Sequence, residues 1–449
     1  MLKYLSKSID LFIKDNQEKI CFEYLQQDFN NFNILLDIFK SRYLTKDLYM
    51  SYLLKAIEII FNYFYKFDKY HQYKILLKQK ILNLIEFFEK NKLYLNKYCS
   101  EKNNNLLHII SQSIYIDNEI KNKFISFIEL IKNNASNEIF ISMLNQQNNY
   151  GNIFLFDLID NNNDKLAIMI LQKYFTFFDL SVRNYNGNTY LHYLMYVKNY
   201  NRDIYNLIAK VIKFNKYFII SENNQGLTPF HLAILNKCNN SLYLMTNYFP
   251  IEQLELSSKK GNILHLASIT NSTTTLRLIV EIFKLDINSQ MHNEKNKHHD
   301  NEISPFNLPN KSTPIYCAGL FSCLNSFEYL LSLGANPFIP DENGNDAIDM
   351  ALTHCDEKMI NYISNTYSFI NSNGKYLFSL VKNVHSRYSL YNNFYILNSD
   401  GINIANSLQQ NLLMLAIEIK IIKLSLFYYL KKLISSILIY LDIMLYSIA

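Results

Sequence analysis

The chain has 449 residues, 49% hydrophobic and 18% charged, which is enough apolar material for a core and too much for wholesale disorder. Its formal charge of +5 is weak for this length and does not make the concentrated basic stripe of a nucleic-acid binder. Six cysteines (Cys21, Cys99, Cys238, Cys317, Cys323 and Cys355) form no Cys-x-x-Cys pair and no disulfide framework, so free thiols in a reducing compartment are expected.

The opening Met-Leu-Lys-Tyr-Leu-Ser-Lys interrupts its apolar residues with charges and does not read as a cleavable export signal. Residues 1–102 carry helix signals without a single Gly or Pro. From Thr45 to Phe67 a capping residue leads into Leu53, Ile57, Ile60 and Phe64 on one helical face. From Tyr70 to Phe88 the theme returns with Ile75, Ile81, Leu82, Ile85 and Phe88. The region is expected to be α-helical, and it carries no catalytic motif.

From Asn103 a pattern recurs. It is clearest from Gln225 to Ala233, Gln-Gly-Leu-Thr-Pro-Phe-His-Leu-Ala. Gly226 suits a turn that needs positive φ. Thr228 is expected to N-cap a helix, with Pro229 at its first position, where a missing N–H costs nothing. Phe230 and Ala233, three apart, share one buried face. Aligned on His231, the equivalent positions are 108, 156, 192, 231, 265, 316, 349, 378 and 414. Their spacings are 48, 36, 39, 34, 51, 33, 29 and 36 residues. Six of the nine glycines, Gly151, Gly187, Gly226, Gly261, Gly344 and Gly374, fall in the turn before the helix.

The best unit runs Thr313-Pro314-Ile315-Tyr316, Phe327-Glu328-Tyr329-Leu330-Leu331, Leu333-Gly334-Ala335-Asn336-Pro337 and Asp341-Glu342-Asn343-Gly344. With most spacings near a period of about 33 residues, the stretch 103–416 resembles the ankyrin repeat family. The resemblance implies an all-α helical repeat solenoid with short turn or hairpin fingers, preceded by the helical N-terminal region. It also implies that the histidine of each repeat bonds nearby backbone and steadies the turn. The copies at Leu107 and Phe156 lack Thr-Pro, and the last two copies are degenerate.

Two segments depart from the repeat. Residues 291–311 form a polar insert, visible in the 51-residue spacing and expected to be a loop at a finger tip. Residues 417–449 form an apolar tail. Its last 17 residues would span roughly 25 Å as a helix, short of the ~30 Å hydrocarbon core. Asp442 in their middle costs about 2.5–3.5 kcal/mol on insertion. A helix packed on the last repeat, a membrane-associated or anchored segment (424–449) and an altered reading frame are the three readings of this tail.

Chemical motifs are sparse. His292, His298 and His299, with Asp300 or Glu302, sit in the insert, where no fixed scaffold spaces metal ligands. His354 and Cys355 are adjacent, and adjacent helical residues do not face each other. No phosphate loop, dinucleotide fingerprint or nucleophile elbow occurs. The resemblance therefore implies a non-enzymatic, cofactor-free protein-binding scaffold that holds its partner on a concave surface of fingers and inner helices. Matching finger positions to the family gives partner-binding candidates Arg183, Asn184 and Tyr185; Glu222, Asn223 and Asn224; Lys259 and Lys260; and Asp341, Glu342 and Asn343. Their mixed charge fits a protein partner better than nucleic acid. The alternatives are an enzyme with a helical N-terminal active region targeted by the repeats, and a membrane-tethered adaptor using the tail. The chain is expected in the cytoplasm. In style it resembles repeat proteins of intracellular bacteria that act in a host cytosol.

Overall fold

The computed structural model of the chain describes residues 103–112, 117–197, 202–249, 263–291, 308–354 and 357–367, with isolated positions at Leu82, Ile85, Glu86, Tyr376, Ser379 and Met414. The chain divides into two compact units, Met1–Asn224 and Gln225–Ala449. The readings of residues 1–102, of Lys259 and Lys260, of the insert's polar run and of the tail fall outside, or almost entirely outside, the described residues. Among the described residues the secondary structure is helix and turn, with no strand.

The first unit contains α1 (Leu106–Ser111), α2 (Asn118–Asn134), α3 (Asn137–Asn145), α4 (Phe154–Asp160), α5 (Asp164–Lys173), α6 (Tyr190–Leu194) and α7 (Arg202–Phe214). Short 3₁₀ turns follow α5 (Phe175–Phe177) and α7 (Lys216–Ile220). The first helix of each repeat packs on the first helix of the next, α1 on α4 and α4 on α6, and the second helices α5 and α7 pack together likewise. The reason is visible in α7: Ile204, Leu207, Ile208, Val211 and Ile212 make one buried stripe at i, i+3, i+4, i+7 and i+8. A helix with one such stripe has too little core of its own, so neighbouring repeats complete each other. Aromatic rings fill the seams. Phe124 meets Phe154 edge-on at 6.3 Å, and Phe156 stacks on Tyr193 at 4.1 Å.

The second unit repeats the scheme with α8 (Pro229–Leu235), α9 (Asn239–Tyr248), α10 (Ile263–Ser268), α11 (Thr273–Phe283), α12 (Pro314–Leu320), α13 (Leu324–Ser332), α14 (Ala347–His354) and α15 (Glu357–Thr366). Here α8, α10, α12 and α14 stack in sequence, while α9, α11 and α13 form the second row. Thr228 caps α8 as its sequence predicts. Its side chain accepts from His231 N at 3.3 Å, and the His231 ring Nδ1 accepts from Thr228 N at 3.1 Å. Pro229 occupies the first turn, and Phe230 and Ala233 are fully buried. Thr313 caps α12 in the same way through Tyr316 N.

Candidate functional site at the inter-repeat turns

Among the described residues, three repeats enter their first helix through a five-residue turn of the same chemistry. Counting the first residue as position 0, the backbone N–H of position 0 bonds the carbonyl of position 4. The N–H of position 3 bonds the carbonyl of position 0. In the first complete turn these are Asn148 N to Asn152 O at 2.9 Å and Gly151 N to Asn148 O at 2.8 Å. The pairs Asn184–Asn188 and Gly187–Asn184, and Asp341–Asn345 and Gly344–Asp341, reproduce them. The side-chain oxygen of position 0 then accepts from the N–H groups of positions 2 and 4. Asn148 takes Tyr150 and Asn152, Asn184 takes Asn186 and Asn188, and Asp341 takes Asn343 and Asn345, all at 2.8–3.1 Å. Position 3 has φ of +71° at Gly151, +76° at Gly187 and +81° at Gly344, which is left-handed backbone.

The insert has a definite place in this scheme. Met291 N bonds Ser312 O and Lys311 N bonds Met291 O, so Met291 is position 0 and Lys311 is position 3, with φ +63°. The extra residues thus enter between the first residues of a single turn. Met291, Leu308 and Cys317 pack together beneath it.

Successive turns are tied edge to edge by their backbones. The position 1 N–H donates to the position 2 carbonyl of the preceding turn: Tyr185 to Tyr150 at 3.1 Å, Asn224 to Asn186 at 2.9 Å, and Glu342 to Asn310 at 3.0 Å. Side chains brace the ladder. Gln147 Nε2 donates to Gly151 O and Arg183 O, Arg183 Nη1 to Glu222 O, and Asn224 Nδ2 to Tyr185 O.

This geometry sorts the sequence-derived candidates. Asn184, Asn223 and Asp341 are buried. Asn184 and Asp341 each use one side-chain oxygen to hold their own turn and the other side-chain atom to bond the preceding repeat, and Asn223 Nδ2 reaches back to Asn188 Oδ1 at 2.8 Å. Arg183, Tyr185, Glu222, Asn224, Glu342 and Asn343 are exposed. The first four are neighbours in the first unit, and Glu342 and Asn343 lie in the second. Sequence reasoning missed Tyr150. It is 58% exposed and its carbonyl is tied to Tyr185, itself 69% exposed. The available signal was a second tyrosine at a turn, directly before Gly151.

The histidine positions lie beneath these turns. His108 Nε2 donates to Asn152 O and His265 Nε2 to Ser312 O, both at 2.9 Å, and each acceptor is the position 4 carbonyl of the following turn. Burial pushes His108 down to about 4, and the hydrogen bonds to backbone oppose this. Tyr316 replaces a histidine and donates its phenol to Asp341 Oδ2 at 2.9 Å.

A second buried polar cluster joins three repeats of the first unit. The Asp157 carboxylate accepts from Gln112 Nε2 at 3.0 Å, Asn152 Nδ2 at 2.9 Å and Asn148 Nδ2 at 3.3 Å. Asp160 accepts from Tyr193 OH at 3.2 Å, and Asn184 Nδ2 donates to Asn152 Oδ1. Burial raises the Asp157 carboxyl to about 7, and nearby Asp160 adds to the rise, while the three amides oppose it. Burial also raises the Cys238 and Cys323 thiols, each to about 11.

The turn, the capped short first helix and the longer second helix, stacked row on row within each unit, define an ankyrin-type repeat fold. No family model matches the chain, and no curated protein matches it. Among solved structures it is similar to the ankyrin repeat domain of Bcl-3, a member of the IkappaB protein family. That match has 16% identity over 58% of this chain and 92% of that one, with a TM-score of 0.33. It is also similar to the ankyrin repeat protein EF0377, at 19% identity over 48% of this chain and 97% of that one, with a TM-score of 0.33. The human ASB11 ankyrin repeat domain gives 15% identity over 55% and 90%, with a TM-score of 0.36. Among the described residues no helix is long and apolar enough to cross a membrane.

Proposed function

We propose that the chain is a non-catalytic protein-binding module that recognises its partner at the tips of the inter-repeat turns. The observation that carries this reading is the division of labour within each turn. Position 0 is turned inward to hold the backbone, which leaves the neighbouring side chains exposed on a braced base. In the first unit Tyr150 and Tyr185 lie beside Arg183, Glu222 and Asn224. Aromatic anchors in a polar, mixed-charge surround are the composition of protein interfaces and their hot spots. Backbone groups already satisfied by the next turn lower the ordering cost of binding.

The test is affinity capture from cell lysate with the full chain, beside a full chain carrying Tyr150→Ser, Tyr185→Ser and Glu342→Ala. Asp341 is left intact because its side chain holds its turn. A protein captured by the parent and lost from the variant, at unchanged circular dichroism, supports the reading. Equal capture by both refutes recognition at these tips.

A further inference from the structure

The second helices of the first unit end differently from those of the second unit. A lysine stands in the last turn of α2 (Lys132), α5 (Lys173) and α7 (Lys213). The last turns of α9, α11, α13 and α15 contain no basic residue, although Lys284 follows α11 directly. Lys132, Lys173 and Lys210 converge on the turn from Tyr174 to Phe177. Lys132 Nζ lies 5.6 Å from the Tyr174 ring centroid and 5.3 Å from that of Phe177. Lys210 Nζ lies 4.0 Å from the Phe175 centroid. The patch then continues along Lys210, Lys213 and Lys216, all exposed. From Ile204 to Ser221 the chain contains no acidic residue. Among the described residues, Glu129 pairs with Lys173, the Asp179 carboxylate accepts from Ser181 N and Oγ while keeping its charge, and exposed Asp203 and Glu222 bound the acid-free stretch.

A lysine near a helix C-terminus also complements the helix dipole. That accounts for Lys213, but not for the two aromatic residues beside it. Phe214 is 66% exposed and Tyr217 60%, each next to a lysine in sequence. Lysines with protruding aromatic rings are the composition of surfaces that settle on an anionic bilayer. The ammonium groups meet the headgroups while the rings enter the interface. A rigid macromolecule would need a pocket shaped to each ring, whereas a bilayer gives way to them. We infer that the α7 end of the first unit, Lys210 to Tyr217, is a peripheral docking surface for an anionic lipid bilayer.

The experiment is co-sedimentation of the full chain with vesicles of phosphatidylcholine containing phosphatidylserine, beside vesicles of phosphatidylcholine alone, at low and high salt. The parent should bind only the serine-lipid vesicles and should release with salt. The variant Lys210→Gln, Lys213→Gln, Lys216→Gln should lose about 100-fold in partitioning, at roughly a factor of five per lysine. Its lysine-to-arginine counterpart should retain binding. Phe214→Ser with Tyr217→Ser, which leaves every charge in place, should lose severalfold while keeping the salt dependence. This pair gives the answer if the glutamine variant fails to fold. Parent and glutamine variant binding equally would assign the affinity to another segment, such as the apolar residues 433–449, and overturn the inference. Absence of serine-lipid binding would overturn it too, as would retention of a single-stranded oligonucleotide or an acidic peptide in its place.

Discussion

Replacing Asp157 by Asn should change how stability depends on pH. Asp157 is 5% exposed, and its three hydrogen-bond partners are neutral amides, with no cation among them. Its carboxyl moves from 3.8 to about 7 because burial penalises the charge. Below pH 3.8 both the folded and the unfolded chain hold this proton. Between 3.8 and about 7 the unfolded chain has lost it while the folded chain keeps it, so stability falls as pH rises. Above about 7 the full cost is present, of the order of 4 kcal/mol at about 1.4 kcal/mol per pH unit. His108 acts in the opposite sense. Its folded value is depressed from 6.5 to about 4, so the stability it contributes is present above 6.5 and lost as pH falls through about 4. The two slopes oppose each other between 4 and 6.5, and the raw profile of the parent hides both. The difference between parent and D157N removes His108, which both chains share. That difference should move against the parent by about 3 kcal/mol between pH 4 and pH 8. The assay is urea unfolding followed by far-ultraviolet circular dichroism across that range, reading the transition that shifts with the substitution. A difference that is flat with pH, or that favours the parent as pH rises, would refute the reasoning.

Thr228→Ala removes one side of the α8 cap and should cost about 1 kcal/mol, read as a lower urea midpoint with an unchanged slope. Gly187→Ala places a Cβ 2.7 Å from Asn224 Oδ1 and 2.9 Å from Asn224 N, at φ +76°. It should destabilise by about 1–2 kcal/mol from the left-handed backbone alone and more from the contact, with faster hydrogen exchange at Asn224 N–H as the local readout. Tyr316→Phe and Asp341→Asn should be coupled in a double-mutant cycle by about 1–2 kcal/mol, and strictly additive losses would show that the phenol–carboxylate bond carries no stability.

The element order was legible because the repeat writes its punctuation in residues with few alternatives. Thr228 and Pro229 could only open a helix efficiently, and Gly187 sits where left-handed backbone is needed. The roles of Asn184, Asn223 and Asp341 were less evident, because a polar residue at a turn looks the same whether it faces a partner or its own backbone. The register distinguishes the two. Asn148, Asn184, Asn223 and Asp341 all stand three residues before a turn glycine, and a fixed residue type at a fixed place is the mark of turn chemistry. The next position varies through Asn149, Tyr185, Asn224 and Glu342, as expected of side chains the fold does not require. Lys311 in the glycine place was beyond sequence reading, since the insert separates it from Met291, the residue that completes its turn.

The histidine position explains how unequal repeats keep one junction. An imidazole at the start of the first helix is long enough to reach the position 4 carbonyl of the next turn, as His108 and His265 do. A phenol is longer, and Tyr316 reaches past that carbonyl to the position 0 side chain. The turn that meets this phenol begins with Asp341, whereas the turns that follow His108, Phe156 and His192 begin with Asn148, Asn184 and Asn223. A carboxylate receiving a phenolic O–H forms a stronger bond than an amide would, and its second oxygen still accepts both N–H groups of its own turn. Tyrosine at one repeat and aspartate at the next therefore act as one substitution spread over two units. The Phe156 junction gives up this bond and takes a stacked ring on Tyr193 in its place. What the repeats conserve among themselves is thus contact across the seam, with the donor, acceptor or ring chosen to fit its reach.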